Sequence, residues 1–253
     1  GQGYKARTRF AKFTNLPELL TMYRSFADVQ TRDMVKLNVP KEERHVINLK
    51  PSDTVIELAE SIADRAEKIH GGSVPPEEDN MLKVTSDGKK LALDPRCFDP
   101  MSEDENGSKL NEAVQRIYEI WENTAEKKGT QIVFCDLSTP KRRFEDYDYG
   151  IHFDAYNDLK HKLVQQGIPA DEIAYIHEAN SDEQKQALFD KVNSGTVRVV
   201  IGSTEKCGAG TNIQNKLIAL HHLDTPYRPS DLEQREGRIV RQGNTNAEVQ
   251  IYT

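Results

Sequence analysis

Ser230–Gly243 reads S-D-L-E-Q-R-E-G-R-I-V-R-Q-G. Ser230 and Glu233 stand at the spacing of a capping box, in which the hydroxyl accepts one orphan N–H and the carboxylate reaches back for another. A helix is therefore expected to start here, with Gly243 as its candidate stop. On that helix Gln234, Arg238 and Arg241 fall at i, i+4 and i+7 and share one face. Two planar guanidiniums and an amide on one face suit a polyanion such as phosphate. Taken alone, the segment reads equally as a solvated helix laced with Glu233 and Glu236.

The residues upstream change that balance. Val197–Gly202 (V-R-V-V-I-G) has the composition of a buried strand, and Ser203–Gln214 (S-T-E-K-C-G-A-G-T-N-I-Q) follows without a break. A loop of small residues after an apolar strand lets backbone N–H groups approach a phosphate closely. Lys216–His221 is a second short apolar run, followed by a loop carrying Pro226 and Pro229.

Strand, small-residue loop, strand and Arg-bearing helix in this order resemble motifs V and VI of superfamily-two helicases, and most closely those of the Swi/Snf-type DNA-translocating ATPases. Ser203, Thr204, Gly208, Gly210, Asn212, Asp224, Tyr227, Pro229, Gln234, Arg238, Arg241 and Gly243 carry the resemblance. Its weight comes from many positions agreeing in order and spacing, since a lone Gly-x-Gly says little. Lys206-Cys207, Gly237 and Val240 depart from the usual Swi/Snf pattern. With the Leu-Pro-Glu-Leu-Leu start and the Met81–Lys89 segment, they resemble bacterial, phage or mobile-element helicase proteins, often fused to DNA methyltransferases.

The chain has 253 residues, enough for a sizeable core. It holds no apolar run near the roughly 20 residues of a membrane span, so no membrane partner is expected. Cys97, Cys135 and Cys207 are scattered and odd in number. They form neither a disulfide framework nor a metal knuckle. Cys135 and Cys207 adjoin expected strands, and their expected state is that of buried thiols. A reducing cytoplasm fits, and no metal site is expected among the seven histidines. The net charge of −7 runs against a nucleic-acid partner unless basic residues gather on one surface, such as Lys89-Lys90, Lys141-Arg142-Arg143 and Lys206. Gly1-Gln2-Gly3 begins without a methionine, which suggests an excised fragment or a tag remnant.

In chain order, helices are expected at Leu16–Gln30, capped by Asn15, and at Asp53–His70, capped by Ser52, with a short strand at His45–Leu49 between them. Met81–Pro95 reads either as a hairpin turning at Asp87-Gly88 or as two short helices. Residues 95–107 read as a linker. Then strands at 131–137, 172–177, 197–202, 217–221 and 248–252 alternate with helices at 110–128, 153–166 and 181–193, the last opened by a Ser181/Gln184 capping box. Residues 142–150 look like a surface insertion. Alternation of this kind implies a parallel sheet covered on both faces. The expected fold is α/β, a RecA-like sheet with helices on both faces over residues 108–253, preceded by a mainly helical extension over residues 1–107.

The resemblance implies the second lobe of an ATP-dependent DNA translocase or helicase. No Gly-Lys-Ser/Thr phosphate loop occurs in the chain, so ATP with Mg would be held mainly on a first RecA-like lobe outside this sequence. By resemblance Arg238 and Arg241 are the arginine fingers, with Gln234 orienting the site, and Gly208, Gly210, Asn212 and Gly237 adjoin the nucleotide. By the same resemblance Ser138, Thr139, Lys141, Thr204 and Lys206 grip the phosphate backbone of DNA, which Asn212 favours as duplex over RNA. The alternatives are a non-catalytic DNA-binding or docking module derived from such a lobe, or an RNA helicase lobe. As an isolated chain it is expected to be inactive as an ATPase.

Overall fold

The computed structural model describes residues 14–28, 30, 34–35, 37–139, 153–207 and 211–253. The chain divides into a short unit ending at Asn38 and a large unit, Val39–Thr253.

The short unit holds helix α1, Leu16–Arg24. Pro17 lies in its first turn, where a missing N–H costs nothing. Asn15 occupies the N-cap position, but its side chain makes no capping bond. The helix stops at Arg24 rather than Gln30, and none of its residues is buried.

The large unit opens with strand β1, Lys41–His45, helix α2, Asp53–His70, and helix α3, Met81–Leu93. Ser52 caps α2 through its hydroxyl, as its position predicts. Asn80 caps α3 by accepting from the N–H groups of Leu82 and Lys83. The stretch is one continuous helix, neither a hairpin nor two short helices, and Gly88 lies inside it. Arg65 on α2 clamps the pair together by donating to Asp79 and Asp87.

Next come α4 (Lys109–Asn123), β2 (Thr130–Phe134), α5 (Ala155–Gln166), β3 (Ile173–Tyr175), α6 (Asp182–Ser194), β4 (Val199–Gly202), β5 (Leu217–His222), α7 (Pro229–Glu236) and β6 (Glu248–Tyr252). The six described strands form one parallel sheet in the order β1-β6-β5-β2-β4-β3. The Ser181/Gln184 capping box is present at α6, and Gly195 ends that helix at φ 79°.

Alternate strand residues enter two cores, as the pleat requires. Val133, Cys135, Val199 and Ile201 pack with Leu110, Val114 and Ile117 of α4 and Leu159 and Leu163 of α5. Ile132, Phe134, Val200, Leu220 and Ile251 pack with Phe189 and Val192 of α6 and with Ile239. This is the RecA-like parallel sheet with helices on both faces.

The extension is joined to that sheet. β1 pairs in parallel with β6 from Lys41↔Glu248 to His45↔Tyr252, so residues 39–107 belong to the same unit as the strands after residue 108. Lys41 also meets Glu248 at 2.8 Å, and Arg44 grips Glu236 of α7 with both terminal nitrogens. The strand therefore ends at His45, where the sequence predicts it to begin. Its K-E-E-R-H composition suits an exposed edge strand, where charged side chains discourage further pairing.

Candidate nucleotide and nucleic-acid site

Open α/β sheets place ligands outside the carboxyl ends of their strands. At that edge the Asp136–Thr139 turn follows β2, the Ser203–Cys207 turn follows β4, and Asp224 follows β5. These turns surround a cleft of about 670 Å³ lined by Asp136, Thr139, His177, Ser203, Thr204 and Lys206, with Asp231 and Gln234 of α7 on its far wall. Four of the sequence-derived candidates, Thr139, Thr204, Lys206 and Gln234, thus share one opening.

The helix bearing the arginines differs from the sequence expectation. α7 begins at Pro229, with Arg228 at the N-cap and no side-chain capping bond, so Ser230 lies inside the helix and makes no capping box. Proline at the first helical position accounts for this, because its φ is preset for a helix and it pushes the preceding residue into extended backbone. Arg228 is extended, at φ −104° and ψ 128°. The helix ends at Glu236, and tight turns follow, in which Arg238 N donates to Arg235 O and Ile239 N to Glu236 O. Gln234, Arg238 and Arg241 therefore do not share one continuous helical face. Gly237 is the C-cap, with ordinary helical dihedrals, and Gly243 ends the later turn at φ 86°.

The buried arginine of this segment is Arg235, which is 1% exposed. Its Nε donates to Thr204 Oγ1 at 2.7 Å, and Nη1 donates to Asp224 O at 2.8 Å and to His222 Nδ1 at 3.3 Å. Nη2 meets Asp224 Oδ1 at 2.9 Å and Asp136 Oδ2 at 2.7 Å. Every guanidinium N–H thus has an acceptor, the condition under which a buried charge is tolerable. Burial lowers the His222 pKa to about 4, aided by Arg235, so the ring is neutral and Nδ1 is free to accept. Asp136 accepts from the Thr204 N–H and hydroxyl as well. Burial raises its carboxyl pKa, but those bonds and Arg235 outweigh burial and hold it below the usual carboxylate range. Asp224 Oδ2 in turn accepts from the N–H groups of Asp136 and Leu137.

Arg235 escapes a reading by helical faces, because it lies next to Gln234 in the chain and so off the face that Gln234, Arg238 and Arg241 would share in a regular helix. The available signal was the charged pair in position: Asp136 directly after an apolar strand, and Arg235 within the same motif.

Arg238 and Arg241 contrast with Arg235. Both are half-buried, and among the described residues neither has a carboxylate partner. Arg238 lies beside Cys207, and Arg241 Nη1 donates to Thr211 O at 3.3 Å. Burial lowers the pKa of Arg238, and the neighbouring Arg241 lowers it further. Arg238 Nε is shielded from solvent and has no hydrogen-bond partner among the described residues. Two like charges so placed repel, and an anion bound beside them would relieve the repulsion.

The remaining candidates fall in several places. Ser138, at φ 53°, uses its hydroxyl to accept from Ala155 N and to donate to Phe153 O, so it braces the start of α5. The Thr204 hydroxyl is likewise engaged within the protein, whereas Thr139 and Lys206 are exposed. Asn212 is exposed, and its carbonyl accepts from Asn193. Lys141, Gly208, Gly210 and the insertion at residues 142–150 lie outside the described residues. Cys135 and Cys207 are buried, as expected. Among the described residues no helix is long and apolar enough to cross a membrane.

Residues 111–243, just over half of the chain, match the family described as the helicase conserved C-terminal domain. Among solved structures the chain is similar to the C-terminal part of the Fun30 ATPase domain, with TM-score 0.54 and 15% identity over 85% of each chain. It is also similar to the helicase domain of Pyrococcus furiosus Hef, with TM-score 0.37 and 15% identity over 79% of this chain and 35% of that one. The Fun30 likeness is one of fold. No curated protein matches the sequence. A parallel sheet with an arginine-bearing turn at its carboxyl edge, and the match over residues 111–243, lead to one conclusion: the chain belongs to the helicase conserved C-terminal domain family.

Proposed function

We propose that this lobe serves an ATP-dependent DNA translocase or helicase of superfamily two, of the Swi/Snf-like kind found in bacterial, phage or mobile-element proteins. Arg238 and Arg241 present guanidiniums to ATP held with Mg on a first RecA-like lobe outside this sequence. The observation that carries the reading is that these two neighbouring, half-buried arginines have no carboxylate partner among the described residues. Arg65, Arg96 and Arg235 are bound to carboxylates and Arg198 to carbonyl oxygens, while Arg238 and Arg241 repel each other and neither meets a carboxylate among the described residues.

Bound nucleotide supplies a phosphoryl group on which negative charge develops during hydrolysis, and pre-placed guanidiniums stabilise that charge. The residues present suit this requirement, because Arg238 Nε has no hydrogen-bond partner among the described residues and Arg241 has only the Thr211 carbonyl. Arg241 is steadied by the Thr211 carbonyl, and the buried Ile239 between the two arginines fixes their turn to the core. Gln234 stands at the cleft one turn earlier. Thr139 and Lys206 are the exposed groups there suited to phosphate oxygens of duplex DNA, with the backbone of the Ser203–Cys207 turn beside them. Such contacts carry no base information, so sequence-independent binding is expected.

The test joins this chain to a phosphate-loop lobe and measures DNA-stimulated ATP hydrolysis. Arg238→Ala and Arg241→Ala should each lower kcat by about 10³. Unchanged turnover in both would instead assign the lobe a docking role, and stimulation by single-stranded RNA but not by duplex DNA would assign it an RNA helicase.

A further inference from the structure

We infer that Arg235 is a positioning residue that latches the Ser203–Cys207 turn of the cleft to the Arg238–Arg241 turn, so that the two halves of the site move as one body. The inference rests on the function proposed above, in which one half meets DNA phosphates and the other meets nucleotide.

The guanidinium joins three chain segments that are distant in sequence. Thr204 belongs to the cleft wall after β4, Asp136 to the turn after β2, and His222 and Asp224 to the end of β5. The Thr204 hydroxyl is shared, donating to Asp136 and accepting from Arg235, so a displacement of the cleft wall acts directly on the guanidinium. Downstream, the Arg235 carbonyl accepts from the Arg238 N–H at 3.1 Å and is the first anchor of the turn that carries Arg238 and Arg241. Ile239, 0% exposed, pins the same turn to the core.

Neither end is free to move alone. The Thr204 N–H is held by Asp136 at 2.6 Å, and Asp136 is itself held by Arg235 and through its own N–H by Asp224. The arrangement needs a planar fork. Lysine places its donors on one nitrogen and cannot reach Thr204, Asp136 and the Asp224 carbonyl together.

Amide hydrogen exchange on this chain tests the latch without reference to activity. In Arg235→Lys, the amides of Leu137, Thr204 and Arg238 should lose protection by about tenfold or more, while those of Ile132, Val200 and Leu220 in the sheet keep theirs. Unchanged protection at Arg238, or a uniform loss through the sheet, would overturn the latch. Should Arg235→Lys not fold, Asp136→Asn preserves side-chain size and should loosen the same two turns.

With the chain joined to a nucleotide-holding lobe, Arg235→Lys should lower DNA-stimulated kcat by about 10–10² while leaving KM for ATP within about threefold. Added to Arg238→Ala, it should lower kcat no further, because it acts through that residue. A fully additive loss would make Arg235 merely structural and sink the proposal. If Arg238→Ala alone left turnover unchanged, the arginine-finger reading would fail, and the exchange pattern would still decide the latch.

Discussion

Arg235 Nη2 stands 2.7 Å from Asp136 Oδ2 beneath the cleft, whereas Arg238, one turn later, has no carboxylate at all among the described residues. One motif thus contains a fully satisfied guanidinium and an unsatisfied one. The first holds the architecture, and the second is available to a ligand.

That contrast predicts opposite stability effects. Arg235→Ala strands Asp136 and the nearly buried Asp224 without their cation, and breaking a buried pair in this way costs about 3–5 kcal/mol. Arg238→Met keeps the apolar stem and removes the repulsion from Arg241, so stability should stay level or rise. Urea unfolding of both variants checks this, and a loss at Arg238 as large as that at Arg235 would contradict it.

Gly88 lies within α3 at ordinary helical dihedrals, and a Cβ built there meets nothing within 4 Å. Gly88→Ala should therefore raise stability by about 0.5–1 kcal/mol through loss of unfolded-state freedom. Thermal unfolding reads the shift directly, and a lowered midpoint would mean that this helix has an unrecognised neighbour.

Gly195 is the opposite case. It ends α6 at φ 79°, and a Cβ there would fall 2.9 Å from Lys128 O and 2.6 Å from Lys128 Cβ. Both the left-handed backbone and the contact with a carbonyl disfavour any side chain, so Gly195→Ala should cost more than about 1 kcal/mol. A neutral outcome in denaturant titration would show that the Lys128 turn can yield.

Stability should also fall as pH is lowered. Burial brings the His221 pKa down to about 3, reinforced by Arg116 and His222, and burial with Arg235 brings that of His222 to about 4. Unfolded histidine titrates near 6.5, so across this window the unfolded chain binds protons that the folded chain refuses. The stabilisation is complete above about pH 6.5 and is lost as pH falls toward 4. The urea midpoint should drop between about pH 7 and pH 4.5, and His221→Gln should flatten part of that slope. A midpoint constant over the window would exclude buried neutral histidines.

Much of the fold was legible because its signals are local. The Ser52 cap, the Ser181/Gln184 capping box and the apolar runs of β2, β4 and β5 each depend on a few neighbouring residues. The start of α7 was misplaced because two local signals competed. Ser230 and Glu233 imitate a capping box, but Pro229 already occupies the first helical position. β1 was displaced because its K-E-E-R-H composition becomes a strand only through pairing with β6, some two hundred residues later.

From its sequence alone this protein is a parallel α/β lobe bearing an arginine motif of helicase type, because hydrophobic period, turn residues and motif order are properties of contiguous chain. Which arginine is structural and which is left open was decided only by the tertiary structure. A guanidinium's role depends on the acceptors that surround it, and Asp136, Thr204, His222 and Asp224 reach Arg235 from three strand ends that only the folded sheet brings together.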